Sequence, residues 1–236
     1  MCDDGRNSTP LDGPAVSFGV RANHLYVHVP FCARRCVYCD FSIAVRSLVP
    51  VDEYLVALGR EWSTRHRESE FELETLYFGG GTPSKLGGEG VSRLLDQMRR
   101  HVTLREDAEI TLEANPEDVS AEAVRAWQRS GINRVSLGVQ SFDDAVLAWM
   151  HRTHDAKTAR QAVEVLREGG MDNLSVDLIF AVPASIDRSW ERDLETALEF
   201  DLPHLSVYGL TVEPRTPLGR WVARKDVSEE IGRAHV

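Results

Sequence analysis

Residues 26–41, YVHVPFCARRCVYCDF, decide the fold, because they place three cysteines directly after a run in which apolar residues alternate with others. The alternation predicts a β-strand. Cys32, Cys36 and Cys39 follow with C-x3-C-x2-C spacing, within eight residues. Three thiolates on so short a loop can face one small inorganic centre. The segment therefore predicts a strand that leads into a metal-binding loop.

Two other interpretations of the cysteines are weaker. A structural zinc site of the Cys3His type could use His28, since zinc accepts that ligand set, but His28 occupies a position in the alternating strand. Disulfides are disfavoured because no secretory signal is visible and because three close thiols suit a metal better than bridges. Positive charge at Arg34 and Arg35 would stabilise thiolates, although ordinary solvated loop charge explains both arginines equally well.

The cysteine spacing suits a 4Fe-4S cluster, since three protein thiolates leave one of its four irons with an open coordination position. C-x3-C-x2-C with the aromatic Tyr38 just before the third cysteine resembles the radical S-adenosylmethionine (SAM) superfamily. The resemblance implies that SAM chelates the open iron and that an electron from the cluster cleaves it to a 5'-deoxyadenosyl radical. It also implies an α/β fold, a partial (β/α)6 TIM-like barrel.

The surrounding words VHVPFC and CVYCDF are similar, more narrowly, to the HemW family of heme chaperones, which itself resembles oxygen-independent coproporphyrinogen III oxidases. The oxidase pattern continues with a fourth cysteine two residues after the third, where this chain has Phe41. The resemblance therefore favours heme binding and transfer over oxidative decarboxylation to protoporphyrinogen IX. The oxidase remains the enzyme alternative, and a structural zinc-binding interaction module is a remote one.

The HemW resemblance also implies partners. These are heme or a porphyrin as cargo, an electron donor for the cluster, and heme-acceptor proteins, with a membrane protein as one conceivable transient client. The net charge of −10 disfavours nucleic acid and anionic membranes as non-specific partners. The sequence has no apolar run long enough to span a bilayer and no start typical of a secretory signal, which favours a cytoplasmic location.

The order of predicted elements favours a parallel sheet. Six β-prone runs, one at the start of the quoted segment and the others near 75–78, 109–112, 133–139, 174–180 and 204–210, alternate with helical periods. The helical periods cover about 51–66, 89–101, 120–127, 157–168 and 189–200, with Ser120 as a predicted N-cap and Gly131 as a stop. Ser141 to Asp144 matches the S-x-x-D capping box. Periodicity leaves an open doubly wound sheet and a barrel as alternatives, and the resemblance selects the barrel.

Polar residues stand at or just beyond the carboxyl ends of the predicted strands, the face that carries the active site in parallel α/β barrels. They are Glu113, Gln140, Arg152 and Asp177. A glycine-rich turn at residues 79–82 follows the second strand and lets a ligand approach the backbone closely. The turn lacks the G-K-[ST] of a phosphate-binding loop and the last glycine of a dinucleotide fingerprint.

The resemblance assigns roles to these positions without naming a catalytic side chain. GGGTP is similar to the superfamily's GGE-type motif, which binds the methionine end of SAM. LEANP, VSLGVQSF and VDLIF match blocks that hold SAM contacts in the coproporphyrinogen oxidase group. The implied SAM contacts are Tyr26, Tyr38, Gly80, Gly81, Thr82, Glu113, Gln140, Arg152 and Asp177, and the implied cluster ligands are Cys32, Cys36 and Cys39.

The domain organisation is predicted as a mobile leader at 1–22, a core domain at 23–225 and a tail at 226–236. The resemblance covers about residues 25–224, whereas family members continue with a C-terminal domain containing an H-N-x-x-Y-W-like segment that this sequence does not show. The last six residues, IGRAHV, form a peptide that sequencing-adapter DNA can encode. We therefore expect a truncated gene with non-native last residues; a genuine polar tail is the alternative.

Overall fold

The strands are the part of the fold that positions the site. The computed structural model describes residues 22–65, 71–183, 185–186 and 188–227, so all but the last residue of the predicted leader and most of the predicted tail lie outside the described residues. The strands are β1 (His24–Val29), β2 (Phe31–Cys32), β3 (Ala44–Val45), β4 (Glu72–Gly80), β5 (Thr103–Ala114), β6 (Arg134–Gln140), β7 (Leu174–Phe180) and β8 (His204–Gly209).

Helices follow most of the long strands. They are α1 (Val51–Arg65), α2 (Gly87–Arg99), α3 (Ala121–Ser130), α4 (Asp144–Trp149), α5 (Ala156–Glu168), α6 (Trp190–Glu199) and α7 (Pro217–Ala223), with 3-10 turns at Pro83–Leu86 and Pro116–Asp118. None of the helices in the described part of the chain is long and apolar enough to cross a membrane.

Six strands form one parallel sheet in the order β1-β4-β5-β6-β7-β8. This confirms the six predicted strands and the parallel arrangement. Within the described residues β1 and β8 pair on one side only, so the sheet does not close on itself. The architecture is therefore a partial barrel, and all six strands point their carboxyl ends toward the same side.

The core lies between the sheet and the helices that cover it. Helix α5 buries Ala159, Ala162, Val163 and Leu166, which are spaced by three and four residues and so share one helical face. In the sheet, β6 is buried at almost every position, as expected for a parallel strand covered on both faces. Each large aliphatic side chain fully buried in this way contributes about 1.5–3 kcal/mol.

Helix ends confirm one sequence prediction and contradict another. The Ser120 hydroxyl caps α3 by accepting from the Ala123 N–H at 3.1 Å, and Gly131 ends the helix with a φ of 106°. The predicted Ser141 capping box is wrong, because Asp143 caps α4 instead. The Ser141 hydroxyl donates to the buried Asp193 carboxylate at 2.7 Å. A buried carboxylate needs donors, and that need overrides the local capping pattern.

The cysteine loop is held by elements that the sequence analysis did not predict. Strands β2 and β3 pair Cys32 with Val45, and the Arg46 N–H donates to the Cys32 carbonyl at 2.9 Å. The Val37 N–H donates to the carbonyl of Met150, at the end of α4, at 3.2 Å. The Val37 carbonyl accepts from Leu218 N, at the start of α7, at 2.9 Å. Two-residue strands and short helices carry too little periodicity to be recognised from sequence.

Candidate functional site

A cavity of about 550 Å³ lies at the carboxyl ends of the strands. It brings together every predicted site residue except Tyr26. The lining includes Cys32, Cys36, Cys39, Tyr38, Gly80, Gly81, Thr82, Glu113, Gln140, Arg152 and Asp177. Residues separated by more than a hundred positions therefore meet in one space, as the strand-end rule predicts.

Tyr26 is not among the residues that line the cavity. Its ring stacks on Tyr77 with 5.9 Å between centroids, and the side chain is half exposed. Burial and the nearby Glu113 carboxylate raise the pKa of the Tyr26 hydroxyl. The predicted contact of Tyr26 with SAM therefore stays a prediction, whereas its placement beside Glu113 is observed.

The three cysteines are free thiols at the cavity wall, with Cys32 buried and Cys36 and Cys39 partly buried. The Thr82 hydroxyl donates to Cys32 Sγ at 3.6 Å, and Arg152 Nη1 donates to Cys36 Sγ at 3.4 Å. Burial raises the pKa of the Cys32 and Cys39 thiols. Because metals bind thiolates, loading such a site is expected to release protons.

The zinc alternative finds no support in the placement of His28. Its Nε2 lies 2.8 Å from the Ser42 carbonyl oxygen and its Nδ1 lies 3.2 Å from the Tyr26 hydroxyl. Across the described ranges, no three His, Cys, Asp or Glu side chains are arranged to hold a single metal ion. His28 is a strand side chain with both ring nitrogens engaged.

The glycine-rich turn packs directly against the cysteine loop. A Cβ on Gly81 would lie 2.8 Å from the Phe31 carbonyl oxygen and 3.0 Å from Cys32 Sγ. Gly80 has a φ of 118°, a conformation that other residues rarely adopt. Glycine is therefore required at Gly81 because the backbone of the cysteine loop is close, and at Gly80 because of the backbone conformation.

Glu113 fixes the same turn from the other side. Its Oε2 accepts from the Gly80 N–H at 2.9 Å and its Oε1 accepts from the Tyr77 hydroxyl at 2.8 Å. Each carboxylate oxygen has a second lone pair for a ligand. Glu113 is thus pre-oriented by the protein and can still accept from an ammonium group.

Asp177 is held by serines from both neighbouring strands. The Ser136 hydroxyl donates to its two carboxylate oxygens at 3.0 and 3.2 Å. Burial raises the pKa of Asp177 to about 6, although hydrogen bonds from Ser206 and Ser136 partly oppose the rise. The sequence analysis missed both serines, because only the register of the paired strands places Ser206 opposite Asp177.

Two of the five non-glycine residues with a positive φ in the described part of the chain line the same cavity. Gln140 and His151, which both line it, have φ angles of 71° and 59°. For residues other than glycine this left-handed region costs about 1–2 kcal/mol each. Such strain is typical of ligand sites, where the surrounding structure fixes the backbone.

The sequence analysis also missed a polar group at the cavity, formed by Asn115 and Glu117, which line it, and by His154, which contacts Glu117. Asn115 Oδ1 accepts from Arg152 Nη2 at 2.7 Å. Burial would raise the pKa of Glu117, but hydrogen bonds from His154 and Thr153 outweigh it and lower that pKa to about 2. Asn115 and Glu117 follow Glu113 closely in the sequence, and that proximity to a singled-out motif was the available signal.

Comparison with known proteins now identifies the family. The model of the Radical SAM superfamily matches residues 26–197, a span that contains the cysteines, the glycine-rich turn and all four strand-end residues. This chain belongs to the radical SAM superfamily. Membership implies a 4Fe-4S cluster and SAM as cofactors.

Curated relatives of this radical SAM chain include several bacterial proteins called heme chaperone HemW. The protein from Bacillus subtilis is 41% identical over 193 residues, which are 81% of this chain and 51% of the relative. The protein from Escherichia coli is 40% identical over 200 residues, 83% of this chain and 52% of the relative. The chain thus spans about half the length of the curated relatives it matches.

Among solved structures, coproporphyrinogen III oxidase (HemN) from Escherichia coli, a radical SAM enzyme, is similar with a TM-score of 0.79 and 27% identity. The match covers 94% of this chain and 50% of that one. The radical SAM methyltransferase TsrM from Kitasatospora setae, at 15% identity and a TM-score of 0.62, shows the fold alone. The predicted radical SAM partial barrel is therefore confirmed.

The cavity fits the two cofactors that membership implies. Three thiols beside open space suit a cluster with one uncoordinated iron. Arg152 Nε is buried without a hydrogen-bond partner among the described residues, as expected for a side chain that awaits a ligand. Gly81 brings the backbone of the glycine-rich turn next to the Cys32 thiol, since a Cβ there would lie 3.0 Å from its Sγ.

Proposed function

We propose that this chain is the cluster- and SAM-binding core of a heme chaperone of the HemW type. The observation that carries the proposal is the single cavity that joins the three cysteines to the glycine-rich turn and to Glu113, Gln140 and Asp177. Identities of 41% and 40% to two curated HemW proteins support the chaperone rather than a more distant radical SAM function.

In this proposal each part of the cavity has a chemical task. Cys32, Cys36 and Cys39 hold the cluster, which when bound supplies one electron and an open iron for SAM. Backbone groups of the turn at Gly80, Gly81 and Thr82 receive the methionine end.

The strand-end side chains bind the polar groups of SAM. Asp177 suits the ribose hydroxyls, and Glu113 suits the ammonium group, because carboxylates accept strongly from such donors. Arg152, Gln140 and Tyr38 line the remaining wall.

Cargo and partners belong to the same proposal. Heme or a porphyrin would be the cargo, an electron donor would reduce the cluster, and acceptor proteins, including a transient membrane client, would receive the heme. The cytoplasm is the compartment in which these steps would occur. The name heme chaperone, carried by the curated relatives, supports the cargo and its transfer.

A second candidate is oxygen-independent coproporphyrinogen III oxidase activity, supported by the similarity to the HemN structure. Phe41 stands at the position of the oxidase's fourth cysteine, lines the cavity and is 66% exposed. A phenyl ring cannot replace a thiolate as a ligand, so Phe41 counts against this candidate.

One reconstitution separates the two candidates. The protein is loaded anaerobically with iron and sulfide, given SAM, a reductant and coproporphyrinogen III, and the products are read by mass spectrometry. In parallel, heme is titrated and followed by its visible absorbance. We expect heme binding without porphyrin conversion. Protoporphyrinogen formed over many turnovers would instead establish the oxidase.

The SAM site is tested by Asp177→Ala, with the exposed Asp172→Ala as the matched control. Loss of a charge-assisted hydrogen-bond acceptor costs about 1.5–3 kcal/mol, so SAM should bind at least about tenfold more weakly to the loaded protein. Iron content should stay unchanged in both variants. Equal SAM affinity in Asp177→Ala and Asp172→Ala would remove Asp177 from the site.

A further inference from the structure

Arg152 is placed to interact with a cluster ligand as well as with SAM. Its Nη1 donates to Cys36 Sγ at 3.4 Å. Its Nη2 donates to Asn115 Oδ1 and to the Gly138 carbonyl oxygen, both at 2.7 Å. Because a guanidinium is planar and rigid, fixing one terminal nitrogen at two acceptors also fixes the direction of the other.

Asn115 connects this arginine to the rest of the site. Its Nδ2 lies 3.2 Å from Glu117 Oε1 and 3.4 Å from Thr82 Oγ1. Thr82 in turn donates to Cys32 Sγ at 3.6 Å. The one amide therefore contacts Thr82 and Arg152, each of which donates to a cysteine sulfur.

Glu117 and His154 anchor Asn115 from behind. His154 is buried, with Nδ1 3.1 Å from Glu117 Oε2 and Nε2 3.0 Å from the Val139 carbonyl oxygen. Thr153 donates to Glu117 Oε1. Within the described residues, neither Glu117 nor His154 hydrogen-bonds to a cysteine, and Glu117 is joined to the cysteine loop through its hydrogen bond with Asn115.

We propose that Asn115, anchored by Glu117 and His154, is a positioning residue that presents Arg152 to Cys36 Sγ and thereby raises the reduction potential of the cluster. The inference rests on the proposed function, because it needs a cluster on the three cysteines. Reduction adds negative charge that spreads onto the ligand sulfurs. A cationic N–H donor stabilises that charge, so it favours the reduced cluster.

The proposal is tested by redox titration of the loaded protein without SAM, monitored by electron paramagnetic resonance. Asn115→Ala should shift the midpoint potential to a more negative value, by about 59 mV for a tenfold change in a one-electron equilibrium. Arg152→Met should shift it at least as far. Asn173→Ala, at an exposed asparagine outside the site, should leave it at the wild-type value.

A double variant identifies the route of the effect. If Asn115 acts through Arg152, the shift in Asn115→Ala/Arg152→Met should be smaller than the sum of the two single shifts. Additive shifts, or an Asn115→Ala potential equal to that of wild type, would overturn the proposal. Should Asn115→Ala assemble no cluster, Asn115→Ser is judged by the same criterion.

Iron and sulfide analysis distinguishes this inference from the proposed function. A wild-type protein that assembles no cluster would overturn the proposed function, and the positioning role with it. A cluster that assembles normally but keeps its potential in Asn115→Ala would overturn the positioning role alone.

Discussion

The two ends of the parallel sheet use the same residue types in different surroundings. At the amino end, Arg105 contacts Glu74 and Asp107 at 3.0 Å each, with side chains 42–73% exposed. At the carboxyl end, Arg152 and Asp177 line the cavity and bond to groups fixed by the fold. The comparison shows that charged residues at a strand end indicate a site only where the fold encloses them.

The physical reason for the difference is solvent. Water and salt screen the exposed pairs at the amino end, and such pairs contribute little to stability. Inside the cavity the same charges lose hydration, so they need fixed partners and interact strongly with a ligand. Variants at the carboxyl end should therefore affect binding, whereas variants at the amino end should not.

The largest effect is expected at the cysteines. Replacing Cys32, Cys36 or Cys39 with Ala should abolish the cluster, because each thiolate supplies a distinct iron ligand. The measurement is iron and sulfide per chain, together with visible absorbance after anaerobic reconstitution. Cys2→Ala, which lies outside the motif, is the control and should load normally. Unchanged iron content in all three ligand variants would refute the assignment.

The glycine-rich turn should be nearly as sensitive. In Gly81→Ala the new Cβ would meet the backbone of Pro30 and Phe31 at 2.8 Å, and backbone atoms cannot move aside cheaply. We expect a loss of about 1–3 kcal/mol in the free energy of unfolding, measured by denaturant titration, and poorer cluster loading. Gly59→Ala, inside helix α1, where a Cβ would meet only the end of the flexible Gln97 side chain, should cost less. A similar loss in both variants would show that close approach at Gly81 is unimportant.

The pH dependence of stability should have opposite signs at the two ends. The pKa of Asp177 rises from 3.8 to about 6 on folding, so ionising it costs stability as the pH increases through that range. Asp177→Asn removes this cost. Between pH 4 and pH 8 its free energy of unfolding should rise by about 2 kcal/mol relative to that of wild type. Denaturant titrations at the two pH values measure the gain.

Asp107→Asn provides the opposite case at the amino end. Arg105 lowers the pKa of the Asp107 carboxyl, so this carboxylate stabilises the fold above its unfolded pKa. That contribution is lost as the pH falls. Between pH 4 and pH 8 the free energy of unfolding of Asp107→Asn should therefore not increase relative to that of wild type. If both Asp107→Asn and Asp177→Asn gained free energy of unfolding relative to wild type between pH 4 and pH 8, the two ends of the sheet would not differ as described.

The smallest effect is expected for Arg105→Ala. The variant removes exposed contacts with Glu74 and Asp107, and its denaturation midpoint should stay within the error of the measurement. Iron content and SAM affinity should match those of wild type. A change in either binding measurement would show that the amino end communicates with the site.

Local patterns predicted most of the framework. Alternating and helical periods located all six sheet strands and five of the helices, because burial on one face imposes a regular spacing. The strand-end rule then placed Glu113, Gln140 and Asp177 at one cavity. The short strands β2 and β3 and the helix α7 were not predicted, since they are too brief to show a period, and α4 was indicated only by the S-x-x-D match before it.

The sequence by itself determined the cysteine motif, the order of strands and helices, and the side of the sheet that carries the site. Only the tertiary structure decided that Ser136 holds Asp177, that Asn115 holds Arg152 against Cys36, and that Tyr26 does not line the cavity. The physical reason is that periodicity reports burial along one segment. Contacts between strands depend on register and crossing, which are fixed when distant segments pack together.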